Sequence, residues 1–436
     1  MTEKADMFHL GWFMNFMPPK SWRGQWGGRD AENWADGQFF VDFLQSLERA
    51  CFDYMMIEDS AMVPDAYGGS MEVELKHSLY APKHDPVLLA PVLAKATKHI
   101  GIFTTMSTSF YPPFLLARSQ AVLSHLSNGR VGWNIVTSSE HRAAQNFGMD
   151  ELWDHDDRYD RADEFVEIVE ALWSSWDPDA VVMDRETGTY ADYTKVRPID
   201  FRGKYYKVRG PLNTLPPLNG RPVYCQAGGS PRGREFAARH ADTVIAAAVG
   251  IDAMKEYRDD VRQRAEQYGR DPDAIKMMFT ASPVFGDTDG EAQALAERNR
   301  EVTDWKAEET LAHLSALTEN DFSVHDWNEP VPELTTNGHR STLADFFKNS
   351  RGKTLRQAAA NWMLGGVPLV GTPDTVAERM GEVMAEVGGD GFLISGPTSR
   401  RYIGEITEGL VPALQRRGLA RTSYEFPHFR ENLMAF

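Results

Sequence analysis

Short apolar runs alternate with longer stretches of helical periodicity along the whole chain. Eight runs have the length and composition of buried β-strands. They are Phe8–Phe16, Tyr54–Glu58, Gly101–Thr108, Val131–Thr137, Val223–Ala227, Thr243–Ala248, Ile275–Phe285 and Gly391–Ser395. Helical patterns lie between most of them, at Gln38–Cys51, Pro86–Thr97, Pro113–Ser127, Asp156–Trp176, Pro231–His240, Ala253–Tyr268 and Thr375–Val387. This alternation predicts an α/β fold with a parallel sheet, and eight strands indicate closure into a (β/α)8 TIM barrel.

A doubly wound open sheet is the alternative architecture. No Gly-x-Gly-x-x-Gly motif follows the first predicted strand, which counts against a dinucleotide-binding sheet of that kind.

Two long segments interrupt the alternation, and we expect both to belong to a single domain spanning residues 1–436. Residues 177–222 carry six prolines and scattered short β-like runs, and residues 303–366 carry helical patterns around a proline-containing segment. Insertions of this size in a barrel usually lie at the carboxyl ends of the strands, where active sites are found. The sequence therefore predicts that they form a lid and a pocket wall.

Composition narrows the classes of function. The hydrophobic content of 42% and charged content of 25% are typical of a globular protein with a large core. A net charge of −17 argues against nucleic acid as a partner, because binding phosphate backbones needs a basic face. Cys51 and Cys225 show no metal-ligand spacing and are predicted to be buried core residues of a reducing compartment. With no secretion signal and no apolar run of 18 residues, we expect a cytoplasmic protein and no membrane partner.

His155 and Tyr159 lie one turn apart at the start of a long amphipathic helix. The amino-terminal end of a helix carries the positive pole of the helix dipole and unpaired backbone N–H groups, so it can bind an anion. An ordinary capped helix start is the alternative interpretation.

A second candidate anion site follows the fifth predicted strand, in the sequence Gln226-Ala-Gly-Gly-Ser-Pro-Arg-Gly233. Gly228 and Gly229 allow close backbone approach, Ser230 can cap the next helix, and Pro231 suits its first position. The segment matches neither a nucleoside-triphosphate loop nor a serine-nucleophile turn. A simple turn remains the alternative.

Polar residues at the ends of the second, third and fourth strands are further candidates. Asp59 ends the second strand, Thr105 lies near the end of the third, and Asn134 interrupts the fourth. Side chains at strand carboxyl ends project to the functional rim of a barrel. A buried amide must find a partner, either backbone or ligand. A turn or capping role is the alternative for Asp59.

Large apolar residues near the predicted rim could line a substrate pocket, although core packing is the alternative for each. They are Trp12, Met14, Met56, Phe110 and Trp133. The twelve histidines are scattered and no H-E-x-x-H motif is present, so no metal site is predicted. No carboxylate pair has a distinctive spacing, and no catalytic acid or base is assigned.

Motifs spread over nearly the whole chain resemble those of the bacterial luciferase-like flavin monooxygenases. They include Leu47-Glu48-Arg49, Tyr111-Pro112-Pro113, Leu126–Val131, Trp133–Ser138, Asn146-Phe147-Gly148, His155–Phe165, Arg209–Leu212, Gln226–Gly233 and Gly371-Thr372-Pro373. The nearest group is that of nitrilotriacetate monooxygenase component A, pristinamycin synthase and dibenzothiophene sulfone monooxygenase. Residues 303–366 match this group least well, so we expect them to select the substrate.

The resemblance implies a barrel that binds reduced FMN (FMNH2) supplied by a separate NAD(P)H-dependent flavin reductase. It implies that O2 adds to the cofactor to give a flavin hydroperoxide, which transfers one oxygen atom to a small organic substrate. Position by position, Ser230 and Tyr159 would hold the phosphate together with the backbone of Gly229. His155 would donate to the phosphate or ribityl chain. Asp59 and Thr105 would lie by the ribityl chain or ring, with Asn134 nearby.

The resemblance also implies a homodimer or homotetramer, and the apolar rim candidates favour an aromatic or otherwise hydrophobic substrate. Two alternatives stay open at this point. One is a deazaflavin-dependent oxidoreductase of the same fold, and the other is a flavin-binding protein without turnover. The long insertions argue against the second, because a carrier does not need a lid.

Overall fold

The computed structural model describes residues 7–15, 17–19, 29–362 and 365–436. Eight strands among them form a closed barrel in which every strand pairs in parallel with the next in sequence. They are β1 His9–Asn15, β2 Tyr54–Glu58, β3 Gly101–Ser107, β4 Val131–Val136, β5 Tyr224–Gln226, β6 Thr243–Ala246, β7 Lys276–Ala281 and β8 Gly391–Ile394. The predicted (β/α)8 barrel is confirmed, and the pairing of β1 with β8 rules out the open sheet.

Helices surround the barrel and fill the connections between strands. They are α1 Asp30–Asn33, α2 Gln38–Arg49, α3 Glu72–His77, α4 Pro86–Ala96, α5 Pro113–Leu126, α6 His141–Asn146, α7 His155–Trp173, α8 Pro231–His240, α9 Ile251–Gln267, α10 Asp289–Arg300, α11 Asp304–Thr318, α12 Arg340–Asn349, α13 Leu355–Ala360, α14 Pro373–Val387, α15 Arg400–Gly404, α16 Val411–Arg416 and α17 Phe429–Leu433. A π-helical turn, Glu405–Leu410, joins α15 to α16.

The amino-terminal end of the barrel is closed by the last helix. Phe429 of α17 packs in the same buried cluster as Tyr54, Phe103 and Leu393. A Cβ added at Gly101, the first residue of β3, would lie 2.5 Å from the Phe429 ring, so this end of the barrel is filled. Open space for a ligand is therefore expected at the other end, where the strands finish.

Residues 177–222 lie differently from the prediction. They join the end of α7 to the start of β5 and include two small hairpins, Val181–Asp184 with Thr189–Ala191 and Phe201–Arg202 with Lys207–Val208. Glu164 of α7 accepts hydrogen bonds from three successive backbone amides of the segment, at residues 204–206. The segment therefore packs along the outside of α7. It reaches the carboxyl end of a strand at Tyr206, whose hydroxyl donates to the carbonyl of Thr108, just after β3, at 3.5 Å.

The described part of residues 303–366 lies in the connection from β7 to β8. Helices α11, α12 and α13 share a small apolar core of their own, built on Leu311, Phe322, Phe346 and Leu355. The insertion packs against α3 and thus stands over the carboxyl ends of the strands. In the described ranges, no helix is long and apolar enough to cross a membrane.

Candidate active site

The turn after β5 is shaped by close backbone contacts. A Cβ added at Gly228 would lie 2.7 Å from the Cα of Gly233, so the turn is pressed against the first turn of α8. Ser230 caps that helix by accepting a hydrogen bond from the backbone N–H of Gly233 at 3.1 Å. The hydroxyl of Tyr257, in α9, donates to the Gly228 carbonyl at 2.7 Å and holds the turn in place. The turn is rigid and presents the start of α8 to the barrel mouth.

Tyr159 of α7 reaches the same turn. A Cβ added at Gly233 would lie 2.8 Å from the Tyr159 hydroxyl and 3.1 Å from the Ser230 hydroxyl. The two hydroxyls therefore converge above the first turn of α8. The side-chain amide of Gln226 donates to the Tyr159 hydroxyl at 3.5 Å. Burial raises the pKa of Tyr159, so its hydroxyl keeps its proton and can donate it to an anion.

His155 occupies the first position of α7 and is buried. Its Nδ1 lies 2.6 Å from a carboxylate oxygen of Asp156, and its ring centroid lies 5.2 Å from that of Tyr159. Burial lowers the pKa of His155 despite the neighbouring carboxylate, so the imidazole is neutral near pH 7. With the Nδ1 proton held by Asp156, Nε2 is the hydrogen-bond acceptor of the ring.

Thr105 and Asn134 meet inside the barrel mouth. They are register partners on β3 and β4, so both side chains point to the same face of the sheet. The Thr105 hydroxyl donates to the carbonyl of Ile57 at 2.5 Å, and it accepts from the Asn134 amide nitrogen at 2.8 Å. This arrangement fixes the orientation of the amide. Among the described residues, the buried Asn134 Oδ1 has no hydrogen-bond partner.

Asp59 directly follows β2 at the same end of the barrel and is partly buried. Burial raises its pKa to about 7, with Glu58 adding to the effect and Lys83 opposing it. Lys83 is engaged elsewhere, since its ammonium donates to Glu58 at 2.8 Å and to Ser60 at 3.0 Å. Asp59 is therefore a carboxyl group that gains and loses its proton near neutral pH.

The raised pKa of Asp59 predicts a pH-dependent cost in stability. Because the folded-state pKa is about 7 and the ordinary pKa of an aspartate is 3.8, ionising Asp59 destabilises the folded protein progressively between about pH 4 and pH 7. We expect Asp59→Asn to raise the free energy of unfolding of the cofactor-free protein by up to about 4 kcal/mol at pH 8 and by less at pH 5. Urea denaturation at both pH values measures this. The exposed Asp150→Asn is the matched control. An advantage of Asp59→Asn that is equal at pH 5 and pH 8 would contradict the assignment.

The apolar residues predicted to line a pocket are not brought together. Trp12 and Met14 point outward from β1 into the layer between barrel and helices, where Trp12 packs on Phe43 of α2 at 4.8 Å between ring centroids. Trp133 likewise faces outward, and Met56 is buried inside the barrel in the cluster that contains Phe429. These residues were predicted on the wrong face. Alternate positions of a strand face opposite sides of the sheet, and the sequence does not show which positions face the inside of the barrel.

Phe110 is the pocket candidate that does reach the mouth. It stacks on Phe147, with ring centroids 4.7 Å apart and an angle of 3° between the rings. It also borders an apolar cluster formed by segments that follow several strands, which we call the mouth cluster. Its buried members are Met62, Leu79, Tyr80, Ala143, Ala312 and Ala316.

No sequence pattern predicted that residues 337–341 of the insertion contact the start of α7 and the turn after β5. Ser341 lies against the Gly229 backbone, since a Cβ added at Gly229 would be 2.7 Å from the Ser341 hydroxyl. Asn337 accepts a hydrogen bond from the backbone N–H of His155 at 2.8 Å. The Asn-Gly pair at 337–338 is a turn signal, but it does not indicate what the turn touches.

The chain is similar to proteins of one known family. The model of the luciferase-like monooxygenase family matches residues 17–391. Long-chain alkane monooxygenase from Geobacillus thermodenitrificans is 35% identical over 401 residues, which cover 92% of this chain and 87% of that protein. Nitrilotriacetate monooxygenase component A from Aminobacter aminovorans is 34% identical over 411 residues, covering 91% and 90%.

A solved structure extends the match to the whole fold. The crystal structure of a riboflavin lyase with modified FMN and riboflavin superposes with a TM-score of 0.89 at 32% identity, covering 99% of this chain and 96% of that one. The family match over most of the chain and these identities lead to one assignment. The chain belongs to the luciferase-like monooxygenase family and is an oxidoreductase of the monooxygenase class.

Proposed function

We propose that this protein is an FMNH2-dependent monooxygenase that transfers one oxygen atom of O2 to a small apolar organic substrate. The observation that carries the proposal is the convergence of the Tyr159 and Ser230 hydroxyls over the glycine turn. On the same side of the barrel, Asn134 Oδ1 has no hydrogen-bond partner among the residues that the structure describes. Reduced FMN, when bound, supplies the electrons that activate O2. The protein binds and orients the cofactor and keeps water away from it.

The turn fits a phosphate group. Two hydroxyl donors, the start of α8 and the close backbone of Gly229 favour an anion. Two arginines lie near this point. Arg232, which is paired with Asp163, lies 5.5 Å from the centroid of the Tyr159 ring. Arg234, which is paired with Asp260, donates to the Gly229 carbonyl at 3.1 Å. Tyr159 and Ser230 would hold the phosphate together with the Gly229 backbone.

The strand ends fit the rest of FMN. A buried carbonyl oxygen without a partner is costly, so Asn134 Oδ1 calls for a hydrogen-bond donor. The flavin ring and the ribityl chain both carry such donors. Thr105 holds the Asn134 amide in place, and Asp59 would lie by the ribityl chain or ring.

For His155 we propose an acceptor role, which differs from the donor role that the resemblance implies. Because Asp156 holds the Nδ1 proton, the free ring nitrogen accepts hydrogen bonds. A neutral acceptor suits a ribityl hydroxyl and is unsuited to a phosphate oxygen. His155 would therefore accept from the ribityl chain.

Two features support the substrate class and the source of reduced cofactor. The mouth cluster, with Phe110 beside it, places apolar side chains at the end of the barrel where the cofactor would lie. The long-chain alkane relative acts on a substrate of that kind, as its name says. The name of nitrilotriacetate monooxygenase component A implies a further component, in agreement with a separate NAD(P)H-dependent flavin reductase for this chain. No contact among the described residues specifically favours the two alternatives, a deazaflavin-dependent oxidoreductase and a non-catalytic flavin carrier.

The test is an assay in 18O2 with FMN, NADH and a flavin reductase. The panel comprises a long-chain alkane, a dialkyl sulfide, an aromatic sulfone and nitrilotriacetate as the anionic comparison. We expect an apolar member to yield a product with one 18O atom. Product from nitrilotriacetate alone would contradict the apolar substrate, and intact FMN binding without product from any member would contradict the proposed reaction.

The outer faces of α4 and α5 support association of two copies. Five large apolar side chains on these neighbouring helices are exposed: Leu88 (76%), Val92 (51%), Leu115 (45%), Val122 (40%) and Leu126 (40%). Neither helix contains Asp or Glu, although the chain has 63 such residues. Two copies that each carry a charge of −17 repel one another, so a face without acidic groups is the one suited to self-association. We propose that this face forms a homodimer.

Light scattering is expected to give twice the monomer mass for the wild-type protein. Leu88→Glu with Val122→Glu should give the monomer mass, because four buried carboxylates would face one another across the two-fold axis. Val182→Glu with Val324→Glu, two exposed apolar residues elsewhere, is the control. A wild-type protein that is monomeric at micromolar concentration would contradict the proposal.

A further inference from the structure

The first turn of α7 is capped by a residue 182 positions away in sequence. The backbone N–H of His155 donates to Asn337 Oδ1 at 2.8 Å. A helix is ordinarily capped by the residue just before it, which here is Asp154. Among the described residues, the Asp154 side chain makes no capping hydrogen bond. The insertion thus caps a helix that would normally be capped by its own preceding residue.

Asn337 and Arg158 close a set of hydrogen bonds around this cap. The Asn337 side-chain nitrogen donates to the Trp153 carbonyl at 3.2 Å. The guanidinium of Arg158 donates to the same carbonyl at 2.6 Å and to the Asn337 carbonyl at 2.9 Å. Three of these four bonds involve residue 337, and the fourth joins Arg158 to the Trp153 carbonyl. Loss of the Asn337 side chain would remove two of the four.

Arg158 makes this connection costly to break. Only 1% of its surface is exposed, and within the described part of the chain no carboxylate oxygen lies within 4.0 Å of it. A buried cation without an ion pair depends on carbonyl acceptors for its stabilisation. The Asn337 carbonyl is one of these acceptors, so burial of Arg158 and ordering of the insertion depend on each other.

The residues next to Asn337 touch both halves of the proposed cofactor site. Arg340 lies 3.6 Å from the Asp156 carboxylate that holds the His155 ring. Ser341 packs against the Gly229 backbone in the turn after β5. We call residues 336–341 the clasp, because this short segment contacts the first turn of α7 and the turn before α8 together.

We propose that Asn337 is a positioning residue for the oxygenation, which orders the first turn of α7 and holds the clasp closed over the cofactor. The inference rests on the proposed function of the site. A closed clasp retains the cofactor and keeps water from it. When protection fails, reduced FMN passes two electrons and two protons to O2, giving oxidised FMN and H2O2 without product.

The experiment compares three variants of the full-length protein. Asn337→Ala removes both side-chain bonds, Asn337→Asp keeps the acceptor for the His155 N–H, and Asn361→Ala is an exposed control in the same insertion. Three quantities are measured: the dissociation constant of oxidised FMN, the H2O2 released per O2 consumed, and amide hydrogen exchange of residues 155–159 in the cofactor-free protein.

We expect Asn337→Ala to weaken FMN binding by roughly five- to tenfold, the effect of losing a helix cap, and to raise the share of H2O2. We expect faster exchange at residues 155–159 in this variant, near wild-type values for Asn337→Asp, and wild-type values for Asn361→Ala. Wild-type FMN affinity together with wild-type exchange in Asn337→Ala would overturn the proposal. A wild-type protein that does not bind FMN would instead contradict the proposed function, and the exchange measurement would still test the cap.

Discussion

Removing the hydroxyls of Tyr159 and Ser230 together is expected to weaken FMN binding by roughly 10²- to 10⁴-fold. In the proposed site each hydroxyl donates to the negatively charged phosphate, and a hydrogen bond to a charged group contributes about 1.5–3 kcal/mol. The variant is Tyr159→Phe with Ser230→Ala, and the measurement is fluorescence titration with FMN. Riboflavin, which lacks the phosphate, should bind the wild-type and the variant with similar affinity.

The control for this variant must account for the helix cap that Ser230 provides. Its hydroxyl accepts from the Gly233 N–H, so Ser230→Ala also costs about 1 kcal/mol of stability. Tyr193→Phe with Ser399→Ala removes an exposed phenol and another helix-capping serine. This control should bind FMN as the wild-type does. An unchanged FMN affinity in the Tyr159 and Ser230 variant would refute the phosphate site.

Gly228→Val is expected to abolish FMN binding and to lower the free energy of unfolding by about 3 kcal/mol. A Cβ at this position would lie 2.7 Å from the Gly233 Cα and 2.7 Å from the Gln226 side-chain oxygen. Because the first of these is backbone, α8 itself must move to make room. The turn at residues 228–230 and the start of α8 would then separate. Urea denaturation and FMN titration measure the two effects.

Gly290→Ala is the matched control for the glycine substitution. Gly290 lies in α10, and the nearest heavy atom to an added Cβ is 4.0 Å away. Alanine is a better helix former than glycine, so this variant should be as stable as the wild-type or more stable by about 0.5–1 kcal/mol. A Gly228→Val protein that binds FMN normally would show that the turn is not part of the cofactor site.

The barrel itself could be predicted because each strand and helix has its own local pattern. All eight strands and the seven helices predicted from periodicity lie within a few residues of their predicted bounds. The candidates at strand ends and helix starts followed from the same rule: once a strand is placed, its last residue lies at the carboxyl rim. Thus Thr105 and Asn134 came together as register partners, and Tyr159 met Ser230.

The apolar pocket could not be predicted in the same way. A buried strand of a parallel barrel is apolar on both faces, so Trp12 on the helix side and Met56 inside the barrel look alike in sequence. A one-residue change of register exchanges the two faces. Phe110 reached the mouth because it follows β3 instead of lying within a strand.

The insertions were beyond prediction for a further reason. Their positions depend on long-range contacts such as the one from Asn337 to His155, which no local pattern encodes. Residues 177–222 follow a helix and precede a strand, so they start at the amino-terminal side of the barrel and run along α7. Their place in the order of elements, more than their length, determined where they lie.

The most direct test of this account is a crystal structure of the protein with FMN. We predict the phosphate within hydrogen-bond distance of the Tyr159 and Ser230 hydroxyls, and a donor of the ribityl chain or flavin ring against Asn134 Oδ1. We also predict that residues 336–341 cover the cofactor. FMN bound with its phosphate away from the turn at 228–230, or Asn134 Oδ1 still without a donor, would contradict these predictions.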